Sequence, residues 1–251
     1  MSREAKTLKP PRKLLWFDCT FGVSGDMCLG ALVDAGAPFK ELKELPQTLG
    51  LKGVSVTRRS IKRAGLHALK VNVKVDESAQ KARRLRDVER IIRRASLPDN
   101  VEERSLKVFR RIFKAEARVH GGKPDEVHLH EMGAADTLID IVGSVLLIEL
   151  LGVDRVTSSP VAVGSGTIKC SHGVLPVPAP AVAELLKGVP VTTGIEGIEL
   201  ATPTGAAIVR ELSYGFGPMP DMVLKAVGCG AGTREVMGQP NAMRVLIGES
   251  A

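Results

Sequence analysis

Aromatic residues are scarce in this chain. Phe, Trp and Tyr make up 3% of the 251 residues, and there is one Trp and one Tyr. Proteins that bind single-stranded nucleic acid stack bases on aromatic side chains, so this scarcity disfavours that class. A basic excess is nevertheless present, because residues 52–118 hold 20 Lys or Arg against 8 Asp or Glu in a chain of net charge +7. It could attract nucleic acid or a phosphorylated small molecule, or it could be a solvated helix face.

Long apolar runs and paired cysteines are also missing. The longest candidate for a membrane span, residues 141–151, is too short to cross a bilayer, and the N-terminal sequence MSREAKTLKPPRK lacks the apolar core of a secretion signal. Cys19, Cys28, Cys170 and Cys229 are scattered and form no CxxC motif. A chain of this size does not need disulfides to fold. We therefore expect a cytoplasmic protein with reduced thiols and no membrane partner.

Side chains that can bind metal are concentrated in one short segment. If residues 126–131 form a strand, its period of two places His128 and His130 on one face, where they could share an ion. Glu131 follows directly, and Asp136 and Asp140 come within the next nine residues. Mixed imidazole and carboxylate ligands suit nickel, zinc, iron or manganese. The segment predicts a metal site, although its spacing does not choose the metal.

The helix predicted over residues 134–151 is apolar on nearly every side, which is typical of a buried helix. Asp136, Asp140 and Ser144 recur at a spacing of four and therefore line one stripe of it. A buried carboxylate without a partner costs several kcal/mol, so a cation is expected against this stripe. The alternative to a metal is that Asp136 caps the helix and Asp140 pairs with an arginine.

A glycine-containing loop, CTFGVSGD, joins a predicted strand at residues 14–18 to a helix at 27–35. Backbone N–H groups at such a helix N-terminus can bind a phosphate or carboxylate, and glycines permit close approach. The loop lacks the GK[ST] of a Walker A motif, so it carries little nucleotide signal. Asp18 and Asp26 could bind a metal or orient a substrate, while Ser24 or Asp26 could equally be only a cap. The candidate binding residues here are Asp18, Gly22, Ser24, Gly25 and Asp26.

Three further motifs supply candidate ligands. Thr202, Thr204 and Gly205 surround the start of a second helix with Pro at its first position, although capping alone would explain them. Cys170 and His172 could add metal ligands, or could be a small buried thiol beside a turn histidine. The sequence GCGAGTR follows a predicted strand, and its last residue could clamp a phosphate or carboxylate. That residue is Arg234.

The element pattern predicts an α/β fold with a mixed sheet and packed helices. Alternating residues at 54–61 and 68–75 indicate a hairpin, and two helices follow it, the second ending near His120. We expect residues 12–251 to form one domain that contains a basic hairpin-plus-helices insertion at 52–120.

Five motifs together resemble the nickel-insertion proteins of nickel-pincer cofactor synthesis. They are FDCTFGVSGDMCLGALVDAG, EVHLHEMGAADTLIDIVG, GSGTIKCSHGVLPVPAPAVAELLKGVPV, TPTGAA and GCGAGTR, in matching order from about residue 14. The resemblance implies insertion of nickel into pyridinium-3,5-bisthiocarboxylic acid mononucleotide with CTP hydrolysis, forming one nickel–carbon and two nickel–sulfur bonds. A base must then accept the ring proton, and Glu131 or Asp136 is the candidate. His128, His130, Glu131, Asp140, Cys170 and His172 are the candidate nickel ligands.

Two departures from the family pattern shape these expectations. The His-rich tract of many relatives is replaced here by SAQKARRLR. The family's C-terminal domain, which the resemblance associates with CTP and manganese or magnesium, has no counterpart in this sequence, so a separate C-terminal half is the expected partner. The other interpretations are a nickel carrier without catalysis, a metal-dependent hydrolase, and a regulatory nucleic-acid-binding protein.

Overall fold

The computed structural model describes residues 12–76, 83–127, 135–170, 173–236 and 238–250. Its centre is a mixed six-stranded sheet with the strand order β2-β3-β11-β12-β1-β4. The strands β1 and β4 run parallel, as do β3 and β11, and the remaining neighbours are antiparallel. These six strands are β1 (Lys13–Asp18), β2 (Val54–Arg63), β3 (Leu66–Val75), β4 (Arg155–Ser158), β11 (Met222–Ala231) and β12 (Ala242–Ser250).

Helices pack around this sheet, and short strand pairs complete the fold. None of the described helices is both long and apolar enough to cross a membrane. The helices are α1 (Gly25–Asp34), α2 (Phe39–Thr48), α3 (Leu85–Arg94), α4 (Asp99–His120), α5 (Ala135–Leu150), α6 (Pro180–Leu185) and α7 (Pro203–Leu212). The short strands are β5 (Val161–Ala162), β6 (Gly164–Ser165), β7 (Thr167–Cys170), β8 (Gly173–Pro176), β9 (Val191–Thr192) and β10 (Ile198–Glu199), paired as β5-β9, β6-β10 and β7-β8.

The α/β prediction with a mixed sheet is confirmed, and so is the hairpin, whose strands β2 and β3 pair from Val54 opposite Val75 to Arg63 opposite Leu66. The hairpin extends the central sheet, while α4 packs against α5, α6 and α7. Helix α4 ends at Gly121, which has the left-handed conformation (φ 68°) that glycine adopts without strain. Segment 52–120 therefore shares its contacts with the rest of the fold, and its description as a subdomain stays a prediction.

Two predictions about local structure were wrong within the described residues. Glu126 donates its backbone N–H to the carbonyl of Lys123 (3.0 Å), closing a turn, so no strand begins at residue 126. The GCGAGTR sequence does not follow a strand, because its first four residues form the end of β11. Glycine there does not signal a loop; it permits a helix to approach the strand closely.

Helix α1 rests on β11 at those glycines. A Cβ added to Gly230 would lie 2.9 Å from the backbone C of Met27, with other α1 backbone atoms nearer still. We expect Gly230→Ala to cost about 3 kcal/mol of folding free energy, because neither backbone can yield without separating helix and sheet. Urea unfolding measures this loss. The matched control is Gly217→Ala, whose added Cβ would meet nothing within 4 Å; equal stability of the two variants would contradict the packing argument.

Candidate functional site

The loops that precede α1 and α7 are joined by backbone hydrogen bonds. Val23 donates its N–H to the carbonyl of Leu200 (2.9 Å), and Thr202 donates to the carbonyl of Val23 (2.9 Å). Gly22 has φ 95° and lies directly against the Leu200 backbone, so a side chain is excluded there by both conformation and space. The two helices therefore start from a shared piece of backbone.

The N-termini of α1 and α7 consequently lie side by side. A Cβ on Gly205 would lie 2.5 Å from the carbonyl oxygen of Val23 and 2.7 Å from the Cα of Ser24. Thr202 accepts a hydrogen bond from the Gly205 N–H through its Oγ1 (3.2 Å), so the predicted cap at α7 is present. Thr204 is partly exposed in the first turn. Each N-terminus has a partial positive charge and free backbone N–H donors. Because the two N-termini are adjacent, their partial charges act on the same place.

The side chain of Asp140 in α5 packs against the N-terminus of α1. A Cβ on Gly25, the first residue of α1, would lie 2.5 Å from the Asp140 Cγ, so only glycine fits there. The Asp140 residue keeps some solvent exposure, but its Oδ1 atom is enclosed and has no hydrogen-bond partner among the described residues. The arginine partner considered from the sequence is thus not seen at that atom. Burial, followed by the negative charges of Asp26 and Asp136, raises the pKa of Asp140, and Lys70 opposes the shift.

The carboxylate of Asp26, in the first turn of α1, has several polar partners. Ser24 makes no side-chain cap to α1 and instead donates its Oγ to Asp26. Thr233 also donates to Asp26 Oδ2 (2.8 Å), and the ammonium of Lys70 pairs with the same oxygen. The Lys70 side chain is 4% exposed and bonds Thr233 Oγ1 as well (2.7 Å). Because a buried ammonium requires compensation, these contacts are what permit Lys70 to be buried.

We call this arrangement the three-helix site. It is built from the starts of α1 and α7, the acidic stripe of α5 and one cation from β3. Its residues are Ser24, Gly25, Asp26, Lys70, Asp136, Asp140, Thr202, Gly205 and Thr233.

Sequence reasoning missed Lys70 and Thr233. The available signal was that Lys70 lies two residues after Ala68 in an alternating strand, and therefore on the same side as this buried residue. Nothing local indicated that this inward lysine would meet Asp26, which is 44 residues away in sequence.

The other predicted binding residues lie elsewhere or have other partners. Asp18 is 6% exposed and accepts from Arg244 Nε (2.9 Å) and Thr20 Oγ1 (2.6 Å), so its carboxylate is already compensated. Arg234 is exposed, and its carbonyl accepts from Asn241 (2.6 Å). It follows Thr233 directly, which places its backbone next to the three-helix site. Cys170 ends β7, opposite Gly173.

The structure describes only some of the residues predicted to bind metal. His128, His130 and Glu131 lie in the segment 128–134, and His172 lies at 171–172, all outside the described residues. Among the residues that are described, no group of three His, Cys, Asp or Glu side chains could hold a metal. Asp136 is exposed at the start of α5, accepts the Thr137 N–H (2.8 Å) and is joined to segment 128–134 through Ala135. The predicted ligand set therefore stays a prediction.

Two buried thiols lie beneath the site. Burial raises the pKa of Cys19 to about 12 despite its contact with Ser158, and burial together with nearby Cys19, Asp140 and Asp26 raises that of Cys28. Because only a thiolate is alkylated rapidly, we expect both to stay unmodified by iodoacetamide at pH 8.5 in the folded protein. Peptide mass spectrometry before and after unfolding in guanidinium measures this. Rapid native labelling of either cysteine would contradict the burial, whereas partly exposed Cys229 serves as the more accessible reference.

Comparisons with known proteins give one consistent result. The family described as "Nickel insertion protein" matches residues 15–251. The chain is 42% identical over 246 residues to the pyridinium-3,5-bisthiocarboxylic acid mononucleotide nickel insertion protein of Geobacillus kaustophilus, covering 94% of this chain and 60% of the relative. It is 45% identical over 236 residues to the protein of the same name from Nocardioides sp., again covering 94% and 60%. The chain thus spans about 60% of the length of these curated relatives. No solved structure matches it.

Proposed function

The chain belongs to the nickel insertion protein family, and from this membership we propose that it takes part in inserting nickel into pyridinium-3,5-bisthiocarboxylic acid mononucleotide, the compound named for its relatives. The product would be the nickel-pincer cofactor. The observation that carries the proposal is the convergence of two helix N-termini with the acidic stripe of α5. The helix N-termini can bind the phosphate of a mononucleotide, and the acidic stripe can bind a divalent cation.

The phosphate is proposed to bind at the paired starts of α1 and α7. Backbone N–H groups at helix N-termini bind phosphate without any basic side chain, and two adjacent termini add their partial charges. Gly25 and Gly205 permit the close approach of these elements, because the Asp140 carboxyl and the Val23–Ser24 backbone occupy the positions that their side chains would take. The buried ammonium of Lys70 lies beside them and balances the negative charge of Asp26, which would otherwise repel the phosphate.

Nickel, the metal substrate, is proposed to bind beside the phosphate. Asp140 would supply one ligand, with His128, His130 and Glu131 from the preceding segment and Cys170 and His172 as further candidates. Imidazole, carboxylate and thiolate together form a donor set that nickel accepts. The raised pKa of Asp140 means that this carboxyl is protonated more readily than an ordinary aspartate, so a divalent cation would bind there with release of a proton.

Formation of a nickel–carbon bond on the pyridinium ring releases the proton of that carbon, which a base must take. Glu131 or Asp136 is the proposed acceptor, because both belong to the stretch of sequence that carries the proposed ligands and a positioned carboxylate can receive a proton. We further propose a lyase-type, CTP-dependent reaction. CTP with manganese or magnesium would bind mainly to the C-terminal part of the family's full-length members, which lies outside the matched region and which a separate protein would supply.

The direct test is formation of the nickel-pincer product, measured by mass spectrometry. Substrate, nickel, CTP and magnesium or manganese are supplied to this chain alone, or together with the unmatched C-terminal part of the Geobacillus kaustophilus relative. We expect product with that part present and none with His128→Ala/His130→Ala. Nickel binding without product in either case would replace the proposal with a carrier. Hydrolysis of phosphate esters without product would replace it with a metal-dependent hydrolase.

A further inference from the structure

Strand β11 has an edge that is open over most of its length. It pairs with β12 from Met222 to Ala231, whereas its contact with β3 is a single register pair, Gly230 opposite Leu69. Within the described part of the chain, residues 222–229 therefore have a strand partner on one side only, and of their backbone groups the Cys229 N–H is bonded to Asp34 Oδ2 (2.8 Å). Open strand edges offer unpaired N–H and C=O groups to other polypeptides, and proteins usually protect them.

The same stretch exposes apolar side chains. Val223, Leu224 and Val227 are 56%, 47% and 46% exposed, and Met219 just before the strand is 45% exposed. Leu224 and Val227 lie opposite Gly248 and Leu246, two positions of one face of β12, so they share a face of the sheet. Helix α1 covers the opposite face at Gly228 and Gly230. We call Leu224 and Val227, together with Met219 just before the strand, the β11 patch; Val223, opposite Glu249, lies on the other face of the sheet. Exposed apolar groups that share a face are typical of an interaction surface.

The place where β12 ends indicates what covers the β11 patch. Ser250, the last residue of β12, pairs with Met222 at the start of β11. The chain matches the N-terminal part of the family's full-length members and about 60% of their length. In those relatives the following polypeptide therefore leaves β12 directly beside the position of this patch. A tethered segment has a high effective concentration at a nearby surface, so even a modest apolar patch suffices to hold it.

We propose that the β11 patch is the docking surface for the C-terminal part of nickel insertion proteins, whether that part is tethered or supplied as a separate chain. The apolar residues provide the buried contact, and the open edge of β11 provides main-chain hydrogen bonds. Lys225, at the register shift between Leu224 and Ala226, pairs with Glu249 (3.1 Å) and adds a charged group beside these apolar residues. Besides the geometry of β11, this inference uses only family membership, so it holds or fails independently of the proposed nickel ligands.

Hydrogen exchange measured by mass spectrometry tests the proposal. The unmatched C-terminal part of the Geobacillus kaustophilus relative is added to this chain as a separate protein, or fused after residue 251. We expect the amides of residues 222–228 that point to the open edge to exchange at least tenfold more slowly in both complexes than in the chain alone. Unchanged exchange in both would overturn the proposal. Protection that grows with the concentration of the chain alone, together with dimer formation in sedimentation, would overturn it in favour of self-association.

Substitutions locate the contact. Leu224→Asp/Val227→Asp is expected to weaken binding of the separate C-terminal part at least tenfold by calorimetry. Val191→Asp, which changes a side chain that is 50% exposed outside the patch, should leave binding unchanged. Circular dichroism establishes that each variant is folded, and the exchange experiment on the unsubstituted chain stands without them. Equal affinity of the two variants would place the interface elsewhere.

Discussion

Asp140→Asn is expected to make the protein more stable and to abolish nickel insertion. The enclosed Asp140 Oδ1 has no described partner, and burial with the charges of Asp26 and Asp136 raises the pKa of the carboxyl. Folding therefore disfavours the charged form. Asparagine keeps the shape without the charge, so we expect a gain of about 2 kcal/mol at pH 7, or roughly 4–8 °C in Tm.

The gain should grow with pH. Because the pKa of Asp140 is higher in the folded than in the unfolded chain, the folded state holds more protons between the two values, and its stability falls as pH rises through that window. Asparagine cannot titrate, so the Tm advantage of the variant should be smaller at pH 5 than at pH 8. Asp221→Asn, at an exposed position, is the control and should follow the parent at each pH. A Tm advantage for Asp140→Asn that shrinks as pH rises would contradict this account.

The activity of the same variant separates function from stability. A neutral amide is a far weaker ligand for a divalent cation than a carboxylate. We expect product formation to fall more than a hundredfold although the folded state of the variant is more stable. Functional sites commonly reduce the stability of the fold in this way. Normal activity in a stabilised variant would remove Asp140 from the reaction and leave its burial unexplained.

Much of this site was visible in the sequence because its parts are local. The acidic stripe depends only on helix periodicity, which puts Asp136 and Asp140 on one face of α5. The start of α7 was recognisable from Thr202 followed by proline, and the loop before α1 from its glycines. Each of these signals lies within a few residues, where propensity and spacing operate directly.

The remainder depends on contacts between distant segments. The hydrogen bond between Val23 and Leu200 could not be predicted from the sequence of either loop, because it is made by backbone groups and not by characteristic side chains. The GCGAGTR sequence misled for a related reason: glycine is a common turn signal, and in Gly228 and Gly230 its smallness serves helix packing instead. Strand order follows from such long-range packing, which periodicity does not encode.

Lys70→Met is expected to be strongly destabilising, unlike most lysine substitutions. The side chain is 4% exposed and pairs with Asp26, whose carboxylate would keep its charge in a site that also contains Asp140. Removing one partner of a buried ion pair costs about 3–5 kcal/mol, which corresponds to a fall in Tm of about 10 °C. Thermal unfolding measures it. Lys225→Met is the matched control, because it breaks an ion pair whose lysine is 51% exposed and should change stability by less than about 1 kcal/mol.

A second substitution shows whether the loss comes from the pair. In Lys70→Met/Asp26→Leu neither charge remains, so stability should recover by at least half relative to Lys70→Met alone, as expected for groups that interact directly. If the double variant were as unstable as the sum of the two single variants, Lys70 would act through packing only. Calorimetry with inorganic phosphate adds a functional reading: Lys70→Met should weaken phosphate binding, because the negative charge of Asp26 is then uncompensated beside the helix N-termini, and Asp26→Leu/Lys70→Met should restore part of that binding together with the fold.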